Sequence, residues 1–312
     1  MGRMHGTDHE VSPVSNAFSH SRVPAAWKEM RLSFSTNAFV NYSVFEAVER
    51  IASIGYPGVE LLADTPHLYA PAVTASDLSK LKELLDQKDL QVANINANTA
   101  MGYYGMSFWE PLFEPSLANP DPAARGWRID YSKKCIDMAR ALGCRTVSLT
   151  SGRMVSGLTP KEGLNLLEES LRELLAHAEK NEVRLGIEYE PGLLIERCEE
   201  LVLLVERMDS PYLGANLDIG HSHVLGEDHE ETIARLSTHI FHLHLEDIQD
   251  KKHYHLIPGL GEVDFAALLG SLEKHGYDGF ITVELYTYPQ EPDAAARKSL
   301  AYLRALNSSL LS

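Results

Sequence analysis

Cysteine is scarce in this chain. There are three, Cys135, Cys144 and Cys198, and no two are spaced as CxxC. That excludes a disulfide framework and a cysteine-based zinc module, and it fits reduced, buried thiols in a cytoplasmic protein. Each cysteine falls in or beside a helix-like stretch rather than at a strand end, which argues against a thiolate nucleophile. Long apolar runs are also missing. None approaches the roughly 18 residues a membrane span needs, and no apolar segment follows the first basic residues, so neither a transmembrane helix nor a signal peptide is expected. Positive charge is in short supply, with 28 Lys and Arg against 44 Asp and Glu and a net charge of −16. A nucleic-acid binder needs Lys/Arg clusters to displace counterions, and none stands out; neither nucleic acid nor membrane is an expected partner. No GxGxxG follows the first strand-like run, which removes the usual support for a dinucleotide-binding sheet. Arg153 is the lone obvious cation near a strand end, so an unphosphorylated substrate is favoured.

What the chain does contain is repetition. Residues 1–28, rich in His, Ser, Pro and Gly, read as a flexible extension. From residue 29 to 312 a short strand-like run alternates with an amphipathic stretch eight times. The strand-like runs are Arg31–Phe39, Gly58–Ala63, Gln91–Ile95, Arg145–Leu149, Val183–Glu188, Leu213–Asp218, Ile240–Leu245 and Phe280–Leu285. Helical spacing is clear at Val44, Phe45, Val48 and Ile51, and Gly55 supplies a stop. Thr159-Pro160-Lys161-Glu162 carries a capping box with proline at the first helical position. The spacing predicts another helix over Trp127–Leu142. Between Asn98 and about Gly126 lies a long connection with Trp109 and Phe113, of the length usual for functional loops. Eight strand–helix units point to a parallel sheet, and over this length to a single-domain (β/α)8 barrel, a TIM-barrel α/β fold.

Four of the later strands end in metal-ligand side chains: Glu188, Asp218, His244 (with His242 two residues before it) and Glu284. Barrel enzymes build their sites at the C-terminal strand ends. Neighbouring strands lie about 4.8 Å apart, so four adjacent ends can surround one ion. A single carboxylate at a strand end more often caps a helix or faces solvent. Four at successive ends of apolar runs are hard to explain that way. Three carboxylates and one imidazole suit Mn²⁺, Mg²⁺ or Co²⁺, with Zn²⁺ and Fe²⁺ behind them. Eight of the fourteen histidines fall between His221 and His255, and His229, His239 and His253 read as surface residues.

The chain resembles the xylose-isomerase-like TIM barrels, the sugar phosphate isomerase/epimerase superfamily that includes ketose 3-epimerases, inosose dehydratase, hydroxypyruvate isomerase and the endonuclease IV group. The resemblance covers about residues 30–308. It rests on Ile187-Glu188, Leu217-Asp218-Ile219-Gly220-His221, His242-Leu243-His244-Leu245-Glu246-Asp247, His255 with Pro258-Gly259-Leu260-Gly261, and Val283-Glu284-Leu285. It implies Glu188, Asp218, His244 and Glu284 as ligands of one divalent ion, most simply Mn²⁺. It also implies Glu188 and Glu284 as the acid/base pair, and it selects His244 over His242. His221 is implied as a substrate contact. Glu190, two residues beyond Glu188, points the same way if the strand continues. His255, Glu60 and Asn98 are further candidates for the substrate pocket, followed by His223, His67 and Asn96. Relatives of this kind often pair, so a homo-oligomer is compatible with the resemblance.

These readings lead to one expected activity: a metal-dependent isomerase or epimerase of a small sugar, keto-sugar or cyclitol. It would abstract a proton alpha to a carbonyl through a metal-bound enediolate. The alternative is a lyase that expels a β-hydroxyl from the same enediolate, such as a dehydratase of a keto-cyclitol. An endonuclease IV-like phosphodiesterase is disfavoured by the acidic balance and an incomplete ligand set in the early strands. A non-catalytic binding protein is disfavoured by the intact quartet.

Overall fold

The computed structural model describes residues 30–105 and 112–310. The expected flexible extension over 1–28 and Trp109 lie outside them. The barrel strands are β1 (Leu32–Ser35), β2 (Gly58–Leu62), β3 (Gln91–Asn96), β4 (Thr146–Thr150), β5 (Arg184–Glu188), β6 (Leu213–Asp218) and β7 (Ile240–Leu245). A two-stranded antiparallel hairpin of β8 (Asp247–Gln249) and β9 (Lys252–Leu256) follows, and β10 (Ile281–Val283) completes the barrel. All eight barrel strands are parallel and close in the order β1-β10-β7-β6-β5-β4-β3-β2. The helices are α1 (Val44–Ile54), α2 (Ala75–Gln87), α3 (Met101–Tyr104), α4 (Pro122–Leu142), α5 (Pro160–Asn181), α6 (Cys198–Met208), α7 (Ile219–Leu225), α8 (His229–Leu236), α9 (Phe265–Lys274) and α10 (Pro292–Leu310). The expected (β/α)8 barrel is therefore present.

Strand alternation sorts the side chains into two layers. Phe34, Val59, Leu61, Ile95, Val147, Leu149, Leu185, Ile187, Leu217, Leu243, Ile281 and Val283 are fully buried. They belong to one apolar core with Ile51, Leu81, Ile136, Leu171, Leu201, Ile233 and Leu268 of the surrounding helices. The intervening positions are mostly polar and contact one another between neighbouring strands. Asn94 on β3 donates to Glu60 on β2 at 2.9 Å, Asn216 on β6 bonds Glu188 on β5, and Ser33 on β1 bonds Thr282 on β10. The apolar layer between strands and helices carries the burial that stabilises the fold, which leaves the lumen available for polar side chains.

Local signals act as read. Thr159 and Glu162 form a reciprocal capping box, and Gly55 ends α1 at φ 103°. Several boundaries differ. β1 stops at Ser35, where the Ser35 hydroxyl accepts from Asn37 N and the chain turns into a short 3₁₀ helix, Thr36–Phe39. α4 begins at Pro122, because Asp121 caps it by accepting from Ala123 N. β10 ends at Val283, so Glu284 lies one residue beyond it. The β8–β9 hairpin and α7 are additions that period-2 and period-3.6 patterns do not reveal in such short pieces. All three cysteines are buried and free. Burial pushes the Cys135 thiol up to about 12 and those of Cys144 and Cys198 to about 11.

Candidate metal centre

Glu188 ends β5, Asp218 ends β6, His244 lies one residue before the end of β7, and Glu284 follows β10. One ligand atom from each lies within 4.8 Å of every other. His244 Nδ1 is 3.2 Å from Glu188 Oε2, 3.6 Å from Glu284 Oε2 and 3.8 Å from Asp218 Oδ2. All four residues are buried. Asp218 Oδ2 has no hydrogen-bond partner, while its Oδ1 accepts from His221 N at 2.8 Å and so caps α7. A buried carboxylate oxygen left unpaired among other carboxylates is costly. A divalent cation would satisfy it, and the donor set fits one.

Each glutamate is tethered by two asparagine amides. Glu188 Oε2 accepts from Asn98 Nδ2 at 2.8 Å and from Asn216 Nδ2. Glu284 Oε1 accepts from Asn37 Nδ2 at 2.9 Å and from Asn96 Nδ2 at 3.1 Å. Asn98 is placed in turn by the buried Arg128 of α4, which donates to the carbonyls of Ala97, Asn98 and Thr99. On the far side of that turn, Asp64 accepts from Thr99 Oγ1, Met101 N and Gly102 N and fixes the start of α3.

Beneath the quartet, Glu60 Oε2 is 2.6 Å from His244 Nε2 and 3.2 Å from His242 Nε2. Asn94 and Asn96 donate to the same carboxylate. Burial alone would raise the Glu60 pKa, but the His244 charge and the bonds from both imidazoles hold it well below the usual range. Burial would lower His244, and Glu60, Glu284 and Glu188 together raise it. Burial, with the charges of Glu188, Glu60 and Asp218 and against that of His244, pushes Glu284 well above the usual range.

A cavity of about 380 Å³ opens above these residues. Glu188, Glu190, Asn96, Asn98, His221, His255 and Glu284 line it, together with Asn37, Arg153 and Tyr286. Val40, Leu62, Met101, Leu112 and Phe113 form an apolar wall on the side of the first three strands. Glu190 does face this space although β5 ends at Glu188; mainly through burial, its pKa rises to about 7. His221 Nδ1 lies 3.0 Å from the Tyr189 carbonyl and its Nε2 3.0 Å from His253 Nε2. His255 Nδ1 lies 3.0 Å from the Glu284 carbonyl, and its Nε2 is 2.7 Å from His253 Nε2. Burial works against a proton on His221, but Asp218, Glu190 and Glu188 raise its pKa. Burial lowers His253 to about 4 and His255 to about 3.

Several expectations need correction. His253 is not a surface residue: it lines the cavity between His221 and His255. Glu60 is fully buried and does not reach the cavity surface. His67 ties Thr36 Oγ1 to the carbonyls of Phe39 and Tyr42 instead of lining the pocket, and His223 pairs with Glu262 at 3.1 Å outside it. Sequence inspection passes over Asn37, Asn216 and Glu246. Asn216 and Glu246 were detectable by period 2, each two residues from a ligand candidate. Both Glu246 oxygens are buried; burial first, then the Asp218 charge and a hydrogen bond shared with Asp218, push its carboxyl well above the usual range. Gly220 makes room for it, since a Cβ there would meet Glu246 Oε1 at 1.6 Å. The Pro258-Gly259-Leu260-Gly261 turn wraps around Asp247, which accepts from the backbone N–H groups of Gly259, Gly261 and Val263. A Cβ on Gly261 would meet the Ile248 carbonyl at 2.2 Å. This turn braces the hairpin that carries His253 and His255.

A closed parallel barrel with ionisable groups gathered at its C-terminal strand ends defines a class, the barrel enzymes with a polar mouth. Residues 48–306 match the family described as xylose isomerase-like TIM barrel, and the chain belongs to that family and is an enzyme of it. It is 28% identical over 283 residues to fructoselysine 3-epimerase of Shigella flexneri, covering 89% of this chain and 98% of that protein. It is 25% identical over 286 residues to inosose dehydratase of Clostridium perfringens, covering 82% of this chain and 85% of that one. A crystal structure of IOLI protein with a binding zinc atom superposes with a TM-score of 0.74 at 19% identity, covering 90% of this chain and 99% of that one. That likeness shows the shared fold.

Proposed function

We propose that this protein is a divalent-metal-dependent isomerase or epimerase of a small keto-sugar or cyclitol. The observation that carries the reading is the convergence of three buried carboxylates and one imidazole on one point, with Glu188 and Glu284 reaching the cavity, Asp218 and His244 buried beneath it, and Asp218 Oδ2 unpartnered. Glu188, Asp218, His244 and Glu284 would hold the ion, Mn²⁺ before Mg²⁺, Co²⁺ or Zn²⁺. When bound, such an ion stabilises negative charge developing on a carbonyl and its neighbouring oxygen. Glu60, on the far nitrogen of His244, orients that ring instead of touching substrate; a carboxylate behind a ligating imidazole is a common support.

Glu188 ends β5 and Glu284 follows β10, strands separated by β6 and β7, so they approach a bound molecule from two sides. Each has one oxygen held by amides and the other free for a proton. Removing a proton from one side and returning one from the other inverts a carbon centre; transfer to the adjacent carbon gives isomerisation. His221, Glu190, His255 and Asn98 line the space where substrate hydroxyls would lie. A dehydratase is the second reading, favoured by the similarity to inosose dehydratase.

The test is a panel of ketoses and inososes followed by NMR in D2O with added Mn²⁺, with and without a chelator. Metal-dependent incorporation of deuterium at one carbon supports the epimerase or isomerase. Loss of water selects the dehydratase. Turnover unaffected by exhaustive chelation contradicts both.

A further inference from the structure

At the pole opposite the acidic site, a recess of about 440 Å³ opens between the starts of the strands. It is lined by Arg31, one residue before β1, Arg145, one residue before β4, Arg184, the first residue of β5, and Lys82 of α2. These residues are scattered in sequence, so no basic cluster shows there. The barrel closure brings them together in a chain whose net charge is −16.

Two of the guanidinium groups are held in place. Arg31 stacks over the Phe280 ring at 4.1 Å and Arg184 over the Phe241 ring at 4.5 Å. Stacking fixes a guanidinium plane while leaving its N–H edge free to meet an oxyanion. Arg31 uses part of its edge on Gln91 Oε1 at 2.9 Å and the Asp278 carbonyl at 3.4 Å. Arg145 and Arg184 begin side by side, the Arg184 N–H donating to the Arg145 carbonyl at 2.8 Å. Among the described residues, no carboxylate lies within ion-pair distance of these three arginines. Asp86 lines the recess but is taken by Lys82. Burial above all, and then the neighbouring Arg145 charge, lowers the Arg184 pKa against the opposing effects of Tyr277 and Asp278.

We propose that this recess is an anion site that takes a small phosphate-type dianion, either inorganic phosphate or the phosphate of a monoester. Several guanidinium edges match a tetrahedral group with several acceptor oxygens, while the Lys82 ammonium is paired with Asp86. The site lies at the opposite end of the barrel from the cavity, so it is distinct from the substrate site. Its occupant would tie together the starts of β1, β4 and β5, and it would stabilise the folded state in proportion to ligand concentration over Kd.

The test uses the full chain. Thermal unfolding and calorimetric titration are run with phosphate, glycerol phosphate and succinate, each against sodium chloride at matched ionic strength. Saturable stabilisation by phosphate or the monoester, absent with chloride and succinate, is expected. Arg145→Gln and Arg184→Gln should each weaken binding by about 10-fold or more, while Arg153→Gln, at the other pole, leaves it unchanged. Tighter binding of the monoester would identify an organic phosphate as the ligand; equal binding would identify the free ion. Stabilisation no greater than that from chloride, or an unchanged Kd in both arginine variants, overturns the proposal. The comparison of salts on the unaltered protein stands even if a variant fails to fold.

Discussion

The two sides of the barrel mouth are built from different chemistry. Strands β5, β6, β7 and β10 present Glu188, Asp218, His244 and Glu284, with Glu246 and the three histidines His221, His253 and His255 around them. Strands β1 to β3 and their loops present amides and apolar groups: Asn37, Asn96, Asn98, Val40, Leu62, Met101 and Phe113. The first side gathers charge and can move protons. The second is neutral; it holds the carboxylates of the first by hydrogen bonds and leaves an apolar wall against which a substrate can lie. Glu60 is an exception. It is an acid on the neutral side, as is the buried Asp64 that fixes the start of α3, but Glu60 points beneath the mouth to His244 and serves the charged side.

Substitutions can break this contrast, in decreasing order of effect. Glu284→Gln removes one of the two proposed proton carriers and should lower turnover by about 10²–10⁴-fold, measured as kcat on the best ketose. Glu60→Gln weakens the support of His244; divalent-metal affinity, followed by titration of the metal-free protein, should drop about 10–100-fold. An unchanged affinity would return Glu60 to the role of a buried structural acid. Gly220→Ala forces a methyl group against the Glu246 carboxyl and should destabilise the fold by about 1–3 kcal/mol in denaturant melts. Asn98→Ala removes one of the two amides on Glu188 and should reduce kcat/KM by about 10-fold, with metal affinity changed less. If Asn98→Ala proved as damaging as Glu284→Gln, the division of labour between the two sides would be wrong.

The same contrast explains what could be read in advance. Ionisable residues closing apolar runs, such as Leu217-Asp218 and Val283-Glu284, are conspicuous because charge at a strand end is expensive without a reason. The barrel is legible because each unit repeats two simple periods. Asparagines carry no such mark: Asn37 reads as an ordinary turn residue and Asn98 only as a candidate for the substrate pocket, and their hydrogen bonds go to Glu284 and Glu188, both distant in sequence. His253 was misread because the hairpin that turns it inward is only three and five residues long on its two sides, too short for alternation to declare itself. The basic recess was illegible for the same reason as the amides, since Arg31, Arg145 and Arg184 meet only once the barrel closes.

The most direct test of the central claim, that Glu188 and Glu284 move the proton, is solvent-deuterium incorporation into a turned-over ketose by the Mn²⁺-supplemented protein and its Glu188→Gln/Glu284→Gln double variant. Incorporation at a single carbon in the unaltered protein and none in the double variant is the predicted result. Exchange persisting in the double variant would contradict it.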